Sequence, residues 1–390
     1  MKALLSTVAI VIALALGLAA TLGPGLLEKS MNIVLPQTDT PISEEATALH
    51  GTLTIGDLHT DSTLWQRDLS QRSERGHVDL PRLREGNVAL QMFTSVTKSP
   101  AGQNYEKNST EARDNITLLA VLQRWPVRTW SNLTERALYQ AQRLQQLAND
   151  HPDELIVIKS QDDLEQVMAA RSGGSKAVGG LLGTEGSHAL EGELGSIDRL
   201  YDAGFRMMGL HHFFDNQLGG SLHGTSGAGL TDFGRSVVEA MEQRQIMIDV
   251  AHSSEAVVAD VLAMTERPLI VSHTGFKGHC DSPRNISDAL MQEIARAGGL
   301  IGVGYWDGAI CTPTAAGIVE AIAYGIALVG EDNIALGSDY DGTIAAPFDT
   351  SKLVQLTQQM LEQGMTETQI RKVMGENMLR FLRENLPASN

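Results

Sequence analysis

Cysteine is nearly missing from this chain. The 390 residues hold two, Cys280 and Cys311. That excludes a small disulfide-stapled scaffold, and without any C-x-x-C spacing a cysteine-built zinc knuckle is excluded as well. Positive charge is also scarce. Lys and Arg number 30 against 47 Asp and Glu, a formal net charge of −17, and no Lys/Arg run follows the N-terminus. A nucleic-acid partner, which needs basic clusters, is therefore excluded. Fixed-period repeats and low-complexity tracts are absent too, so the chain is not a solenoid or an array. What is present is ordinary for a folded enzyme-sized protein: 42% hydrophobic and 20% charged residues, in a chain long enough for one barrel with extensions or two domains.

Long hydrophobic runs are missing except at the start. Lys2 precedes an uncharged apolar stretch from Ala3 to Leu22. It is long for a signal-peptide core and nearly long enough to span a bilayer as a helix. No clear A-x-A site follows; Gly17-Leu18-Ala19 and Thr21-Leu22-Gly23 are weak candidates. An uncleaved membrane anchor is the favoured reading, and a cleaved signal peptide the alternative. A buried core helix is disfavoured because no polar face interrupts the run. Either favoured reading places the rest outside the cytoplasm, on the periplasmic side in a bacterium. The predicted organisation is a signal anchor or signal peptide over residues 1–25, a Pro- and Ser/Thr-rich linker over 26–50, and one catalytic unit over 51–390.

That unit shows a recurring pattern. Short apolar runs end in metal-binding residue types: Leu53 to Leu58 runs into His59 and Asp61, Ala177 to Gly183 into Glu185, and Arg206 to Leu210 into His211 and His212. Ile246 to Val250 runs into His252, Pro268 to Ser272 into His273, and Asn333 to Gly337 into Asp339. Strand candidates begin near 53, 88, 177, 206, 246, 268, 300 and 333. Helical patterns lie between them at Glu111 to Leu122, Glu135 to Leu147, Gly195 to Ala203, Thr231 to Arg244, Ser254 to Met264 and Ser287 to Ala297. Thr231 and Ser287 read as N-caps. Thr366 to Glu384 reads as a helix pair packed on the barrel. Eight strands alternating with helices predict a (β/α)8 barrel, α/β in class, whose strand ends converge on one face.

The residue types then suggest chemistry. His59 and Asp61 are two apart, so in an extended segment both side chains point the same way and can grip one divalent ion. The bland alternative is a capping Asp beside a packed His. Glu185 follows a nearly pure aliphatic and Gly run; a carboxylate there must be paired, coordinated or protonated. Its two oxygens allow it to bridge two metals. His252 and His273 end consecutive strands, which favours ligands over packing. His211 and His212 must diverge, so at most one enters the site. Asp339, in Gly337-Ser338-Asp339-Tyr340-Asp341-Gly342, can take a proton from an attacking water and hand it to a leaving nitrogen. Asp341 competes for that role but reads better as a turn residue. Arg284 is either a carboxylate clamp or a solvated loop residue. His50, His77, His151, His188, His223 and His279 are read as surface or packing residues. For the two cysteines a disulfide is favoured over metal binding, with two buried thiols as the alternative.

These segments resemble the membrane (renal) dipeptidase family of zinc metallopeptidases, a branch of the amidohydrolase-like metal-dependent barrels. The resemblance rests on Asp57-Leu58-His59-Thr60-Asp61, His77 to Leu83 with Gly86, Glu185-Gly186-Ser187-His188, Leu210 to Asn216, Gly229 to Gly234, Ile248 to Ser254, Ser272-His273, Arg284-Asn285 and Gly337 to Gly342. It implies two zinc ions, one on His59 and Asp61, the other on His252 and His273, with Glu185 bridging. It implies that His212 contacts substrate and stabilises the oxyanion, that Arg284 holds the substrate carboxylate, and that Asp339 shuttles the proton. It also implies a Cys280–Cys311 disulfide and a possible homodimer. The expected reaction is attack of a metal-bridging hydroxide on the peptide carbonyl of a dipeptide. Alternatives are the same site acting on a lactone, cyclic amide, N-acyl amino acid or β-lactam, or an inactive surface-tethered binding protein. The tail after Leu386 is short and polar, so anchoring would fall to the N-terminal segment.

Overall fold

The structure is a computed structural model in which residues 22–36 and 41–388 are described. Its centre is a closed ring of eight parallel strands. They are β1 Ile55–Thr60, β2 Val88–Val96, β3 Val178–Glu185, β4 Phe205–Gly209, β5 Met247–Asp249, β6 Ile270–Thr274, β7 Leu300–Val303 and β8 Ile334–Leu336. Leu336 of β8 pairs with Asp57 of β1 and closes the ring. The predicted strand positions and the (β/α)8 class match this architecture.

The strands are buried along their whole length, as strands of a parallel sheet covered by helices must be. One face fills the barrel interior: with Leu58, Met92, Leu181, Met207, Met247, Ile270, Leu300 and Ala335, every strand gives at least one residue to a single cluster. Met378, Phe381 and Leu382 of the last helix, Asn377–Asn385, join that cluster, so this helix closes the end of the barrel opposite the site. The other strand face packs on the helices. Strand β3 tolerates this crowding because it is glycine-rich. A Cβ at Gly179 would lie 2.5 Å from Ile158 and 3.1 Å from Leu90.

Helix starts follow the capping chemistry of the sequence. Thr231 accepts from the Gly234 N–H, Ser254 from Val257, and Thr366 forms a capping box with Gln369. Ser287 occupies an N-cap position, but its side chain makes no cap bond. Helices at Leu80–Glu85, Gln161–Ser172, Ala315–Val329 and Val354–Glu362 were not among the expected ones. Ala315–Val329 reads AAGIVEAIAYGIALV, too uniformly apolar to show a face. The predicted C-terminal pair is Glu367–Arg371 and Asn377–Asn385, joined by a π-turn.

The expected linker is a correction. Residues 22–31 are helical, Ile33–Val34 pairs in parallel with Ala345–Ala346, and Glu44–His50 is a helix capped by Ser43. Buried groups hold these pieces on the barrel: Glu28 is 1% exposed and His50 is 6% exposed. The apolar stretch 3–22 lies almost wholly outside the described residues. Among the described residues no helix is long and apolar enough to cross a membrane.

Candidate metal centre

The strand ends bring the predicted ligands together. His59 sits near the end of β1 and Asp61 just past it; Glu185 is the last residue of β3; His252 follows β5 and His273 lies in β6. Glu185 Oε1 is 3.7 Å from His59 Nε2, 3.2 Å from His252 Nε2 and 3.4 Å from His273 Nε2. His59 Nε2 is 3.5 Å from Asp61 Oδ1, and the two His252 and His273 Nε2 atoms are 3.0 Å apart. Asp339 Oδ1 lies 3.9 Å from His59 Nε2, and His212 Nε2 lies 3.4 Å from Glu185 Oε2. Three ligand-atom groups result: His59, Asp61 and Glu185; Glu185, His212 and His252; His59, His273 and Asp339.

The residues fit a cation. His59 Nε2 is fully buried and has no hydrogen-bond partner. Burial opposes charge on His59, yet Asp61, Glu185 and Asp339 hold its pKa up to about 10. Burial likewise drives the Asp339 carboxyl up to about 8, with Asp61 adding to the effect and His59 and Arg284 opposing it. Glu185 is pushed well above the usual carboxylate range by burial and by Asp61. Packed carboxylates that resist ionisation, facing the unpartnered His59 Nε2 and the abutting Nε2 atoms of His252 and His273, are what a divalent cation would satisfy.

A hydrogen-bond relay fixes the rings. The Ser272 hydroxyl donates to Asp249 Oδ2 at 2.6 Å. Its single proton is thereby used, so it must accept from His59 Nδ1 at 3.1 Å and His273 Nδ1 at 2.9 Å. Both rings then keep a proton on Nδ1, and Nε2 is the atom each turns into the cluster. Asp249 is itself held by the backbone N–H groups of Ala251 and Ser272. Asp57 Oδ1 accepts from the N–H groups of His59 and Ser338, tying β1 to the Asp339 turn. Sequence reasoning did not give Asp249 or Ser272 a role. The available signal was an Asp inside the apolar run Ile246 to Val250, where nothing but a buried network could hold it.

The remaining predicted residues separate cleanly. His212 turns into the site, while His211 turns away to Ser253 Oγ, Nδ1 at 3.1 Å. His212 Nδ1 lies 3.1 Å from the Lys98 carbonyl, so Nδ1 carries the proton and the neutral ring offers Nε2 as an acceptor. Burial lowers its pKa to about 4. Arg284 is not a solvated loop residue. It is 1% exposed, donates to the His273 carbonyl at 2.8 Å and lies over the Trp306 ring. Asp341 is more than a turn residue: it is fully buried, pairs with Arg67, and accepts from the Ser62 hydroxyl and the His77 N–H at 2.6 Å each. Of the histidines read as surface or packing residues, His50, His77, His188 and His223 are buried; His151 and His279 are half-buried. His223 backs His252, with ring centroids 5.2 Å apart. Cys280 and Cys311 form a disulfide.

Backbone strain concentrates here. His252, Asp339 and Asp341 have φ of 62°, 59° and 64°, a left-handed region that costs energy for any residue with a Cβ. Gly342 follows because the Asp339 carboxylate passes over it; a Cβ there would lie 2.0 Å from Asp339 Oδ1. Above the cluster opens a cavity of about 460 Å³. Asp61, Glu185, His212, His252, Arg284 and Asp339 form its floor, and Tyr105, Phe213 and Trp306 part of its wall. The polar loop from Ser99 to Asn108 contributes Tyr105.

Comparison with known proteins gives a consistent result. A family model described as membrane dipeptidase (peptidase family M19) matches residues 43–390. Dipeptidase 3 of Mus musculus is 26% identical over 378 residues, covering 89% of this chain and 67% of that protein. The dipeptidase AC, a metallo peptidase of family M19, superposes with a TM-score of 0.71 at 23% identity, over 86% of this chain and 100% of that one. A metallo peptidase from Rhodobacter sphaeroides, solved with a phosphinate mimic of the dipeptide L-Ala-D-Ala, gives 0.69 at 23% identity, over 86% and 99%. At these identities the two structures speak to the fold alone.

Proposed function

This chain belongs to the membrane dipeptidase family, peptidase family M19, and is an enzyme of that metal-dependent class; on that premise we propose that it hydrolyses dipeptides with two zinc ions. One zinc would be held by His59 and Asp61, the other by His252 and His273, with Glu185 between them. The observation that carries this is the position of Glu185 Oε1, within 3.2 to 3.7 Å of the Nε2 atoms of His59, His252 and His273. One carboxylate shared by three imidazoles suits a bridge between neighbouring cations.

When bound, the metals would supply Lewis acidity toward the carbonyl oxygen and lower the pKa of a water to about 7. The chain's own groups do the rest. Arg284, desolvated among His252, His273 and Trp306, presents a guanidinium to the substrate's terminal carboxylate and so limits substrates to short peptides. Asp339, held near the cluster by its left-handed turn, accepts the proton of the attacking water and returns it to the leaving nitrogen. His212 contacts the substrate. Because its Nδ1 proton is committed to the Lys98 carbonyl, its neutral ring is set to accept from a substrate N–H. Donating to an oxyanion, the role the resemblance implies, would require the protonated ring.

The test is hydrolysis of a dipeptide library with and without chelator, with metal analysis of the same protein. Chelation should abolish turnover and zinc should restore it. Asp339→Asn should lower turnover severely while zinc stays bound; full activity in that variant would remove Asp339 from the mechanism. A library left untouched, beside turnover of lactones or N-acyl amino acids, would move the site to the alternative substrates.

We also place the enzyme outside the cytoplasm, tethered by the apolar stretch Ala3 to Leu22. The disulfide supports an oxidising compartment. Fractionation of cells expressing the full chain tests this: recovery in the soluble cytoplasm would refute it.

A further inference from the structure

Residues 22–36 precede the stretch matched by the family, which begins at residue 43, yet two of them, Leu27 and Met31, line the cavity above the candidate ligands. Leu27 and Met31, one helical turn apart, face it together with Leu64, Trp65, Ile116 and Leu119. Glu28, between them in sequence, points inward instead. Its carboxylate pairs with the buried Arg67 and with Arg75 at 2.6 Å. Arg67 pairs in turn with Asp341, two residues beyond Asp339. Further on, Asn32 Oδ1 accepts from the Thr343 N–H at 2.9 Å, and the Ile33 N–H donates to the Ile344 carbonyl at 2.9 Å. The segment is thus fastened to the loop that carries Asp339. A passing tether would have no reason to bury a carboxylate, which is costly unless paired.

We infer that Leu27 and Met31 form a specificity pocket for an apolar side chain on the first residue of the dipeptide. This rests on the dipeptidase reading above. Arg284 lies against His252 and His273, whereas Asp61 lies beside His59. A dipeptide pinned by its carboxylate to Arg284, with its carbonyl over Glu185, extends its amino end toward Asp61. Three and four residues past Asp61 stand Leu64 and Trp65, which with Leu27 and Met31 make the apolar end of the cavity. Leu27 and Met31 are 38% and 36% exposed. Side chains on the wall of an open cavity have that exposure. A bulky apolar side chain would cover it and gain the corresponding transfer energy.

The experiment uses the full metal-loaded chain and the double variant Leu27→Ala/Met31→Ala. Both positions are exposed enough that truncation should leave the unfolding temperature near that of the parent. The first readout is the ratio of kcat/KM for Phe-Ala to that for Gly-Ala. The ratio should fall about tenfold or more in the variant, the scale of losing a few pocket methylenes. The second readout does not depend on turnover: binding of N-hexylglycine against N-methylglycine, followed by the fluorescence of Trp65 and Trp306. Neither amine has an amide to cleave. The parent should prefer the hexyl compound about tenfold or more, and the variant should lose most of that preference. An unchanged preference would overturn the assignment. A parent that cleaves no dipeptide would instead sink the dipeptidase reading, and the amine pair would still decide the pocket.

Discussion

Replacing Ser272 by Ala should weaken metal binding without disturbing the barrel. The hydroxyl is fully buried and serves three groups: it donates to Asp249 Oδ2 and accepts from the Nδ1 atoms of His59 and His273. Without it, each ring faces a choice. It can keep its Nδ1 proton with no acceptor, at a cost of about 1–3 kcal/mol for an unsatisfied buried donor. Or it can shift the proton to Nε2, which removes the lone pair aimed at the cluster. The two rings would belong to different metals in the proposed arrangement, so both sites should suffer. The expected loss is roughly 10- to 100-fold in affinity, the usual effect of removing a partner behind a ligand. Asp249→Asn should weaken binding as well, because Oδ1 accepts from the Ala251 and Ser272 N–H groups and Oδ2 from the Ser272 hydroxyl, so an amide nitrogen meets a donor on either side. Competition with a chromophoric chelator gives the affinities, and near-ultraviolet dichroism checks that packing survives. A Ser272→Ala protein that binds both metals with parental affinity would refute the relay.

Glu185→Gln should drop the metal content below two per chain and reduce kcat/KM by about a thousandfold or more, because a bridging charge disappears; a variant with full metal and activity would show that Glu185 does not bridge. Cys280→Ser/Cys311→Ser should destabilise the fold by about 4 kcal/mol on the loop-closure argument, given a separation of 31 residues; it should also raise KM, since the bridge pins the segment carrying Arg284, and an unchanged unfolding midpoint would contradict this. Acid should destabilise the protein partly through His50. Burial lowers its pKa to about 4, against 6.5 for the free side chain. Between those values the unfolded chain holds more protons than the folded one, so stability is full above pH 6.5 and falls as pH drops toward 4, by about 3 kcal/mol for this residue. Denaturant midpoints of the parent and His50→Gln at pH 7 and pH 4.5 check it: the variant should lose less on acidification, and parallel losses would rule His50 out.

The readability of the chain divides along physical lines. Every barrel strand was legible because a strand covered on both sides must be apolar, and in this chain most such runs stop at a His, Asp or Glu. The side chains gathered at the site were legible for the same reason: a polar group at the end of an apolar run has few ways to be satisfied. Ala315–Val329 was missed because it is apolar all round, so no helical period stands out. Arg284 was ambiguous because its neighbours Ser282, Pro283 and Asn285 look like any exposed turn, and only the fold shows it buried. Asp341 was underrated for the opposite reason. Its Gly neighbour advertised a turn, while its partners Arg67, Ser62 and His77 lie some 260 to 280 positions away.

Residues 22–36 are the sharpest case. Pro24 and Pro36 and a Ser/Thr-rich continuation have the composition of a tether, and composition carries no record of where a segment docks. The decisive residue was Glu28. A lone acid among Leu26, Leu27 and Met31 could have been the solvent face of a surface helix or its anchor. Only the burial of that carboxylate against Arg67, with Leu26 left 66% exposed, shows the helix inverted, with its charge inward and much of its apolar surface outward. Such an inversion is favourable only where the inward side offers fixed cations and the outward side faces something apolar. Arg67 and Arg75 meet the first condition, and the cavity meets the second for Leu27 and Met31. Glu28→Gln therefore discriminates. If the ion pairs hold the segment in place, the variant should loosen it and raise KM for apolar dipeptides, as the Leu27→Ala/Met31→Ala pair would. If apolar contact alone holds it, KM should stay at the parental value.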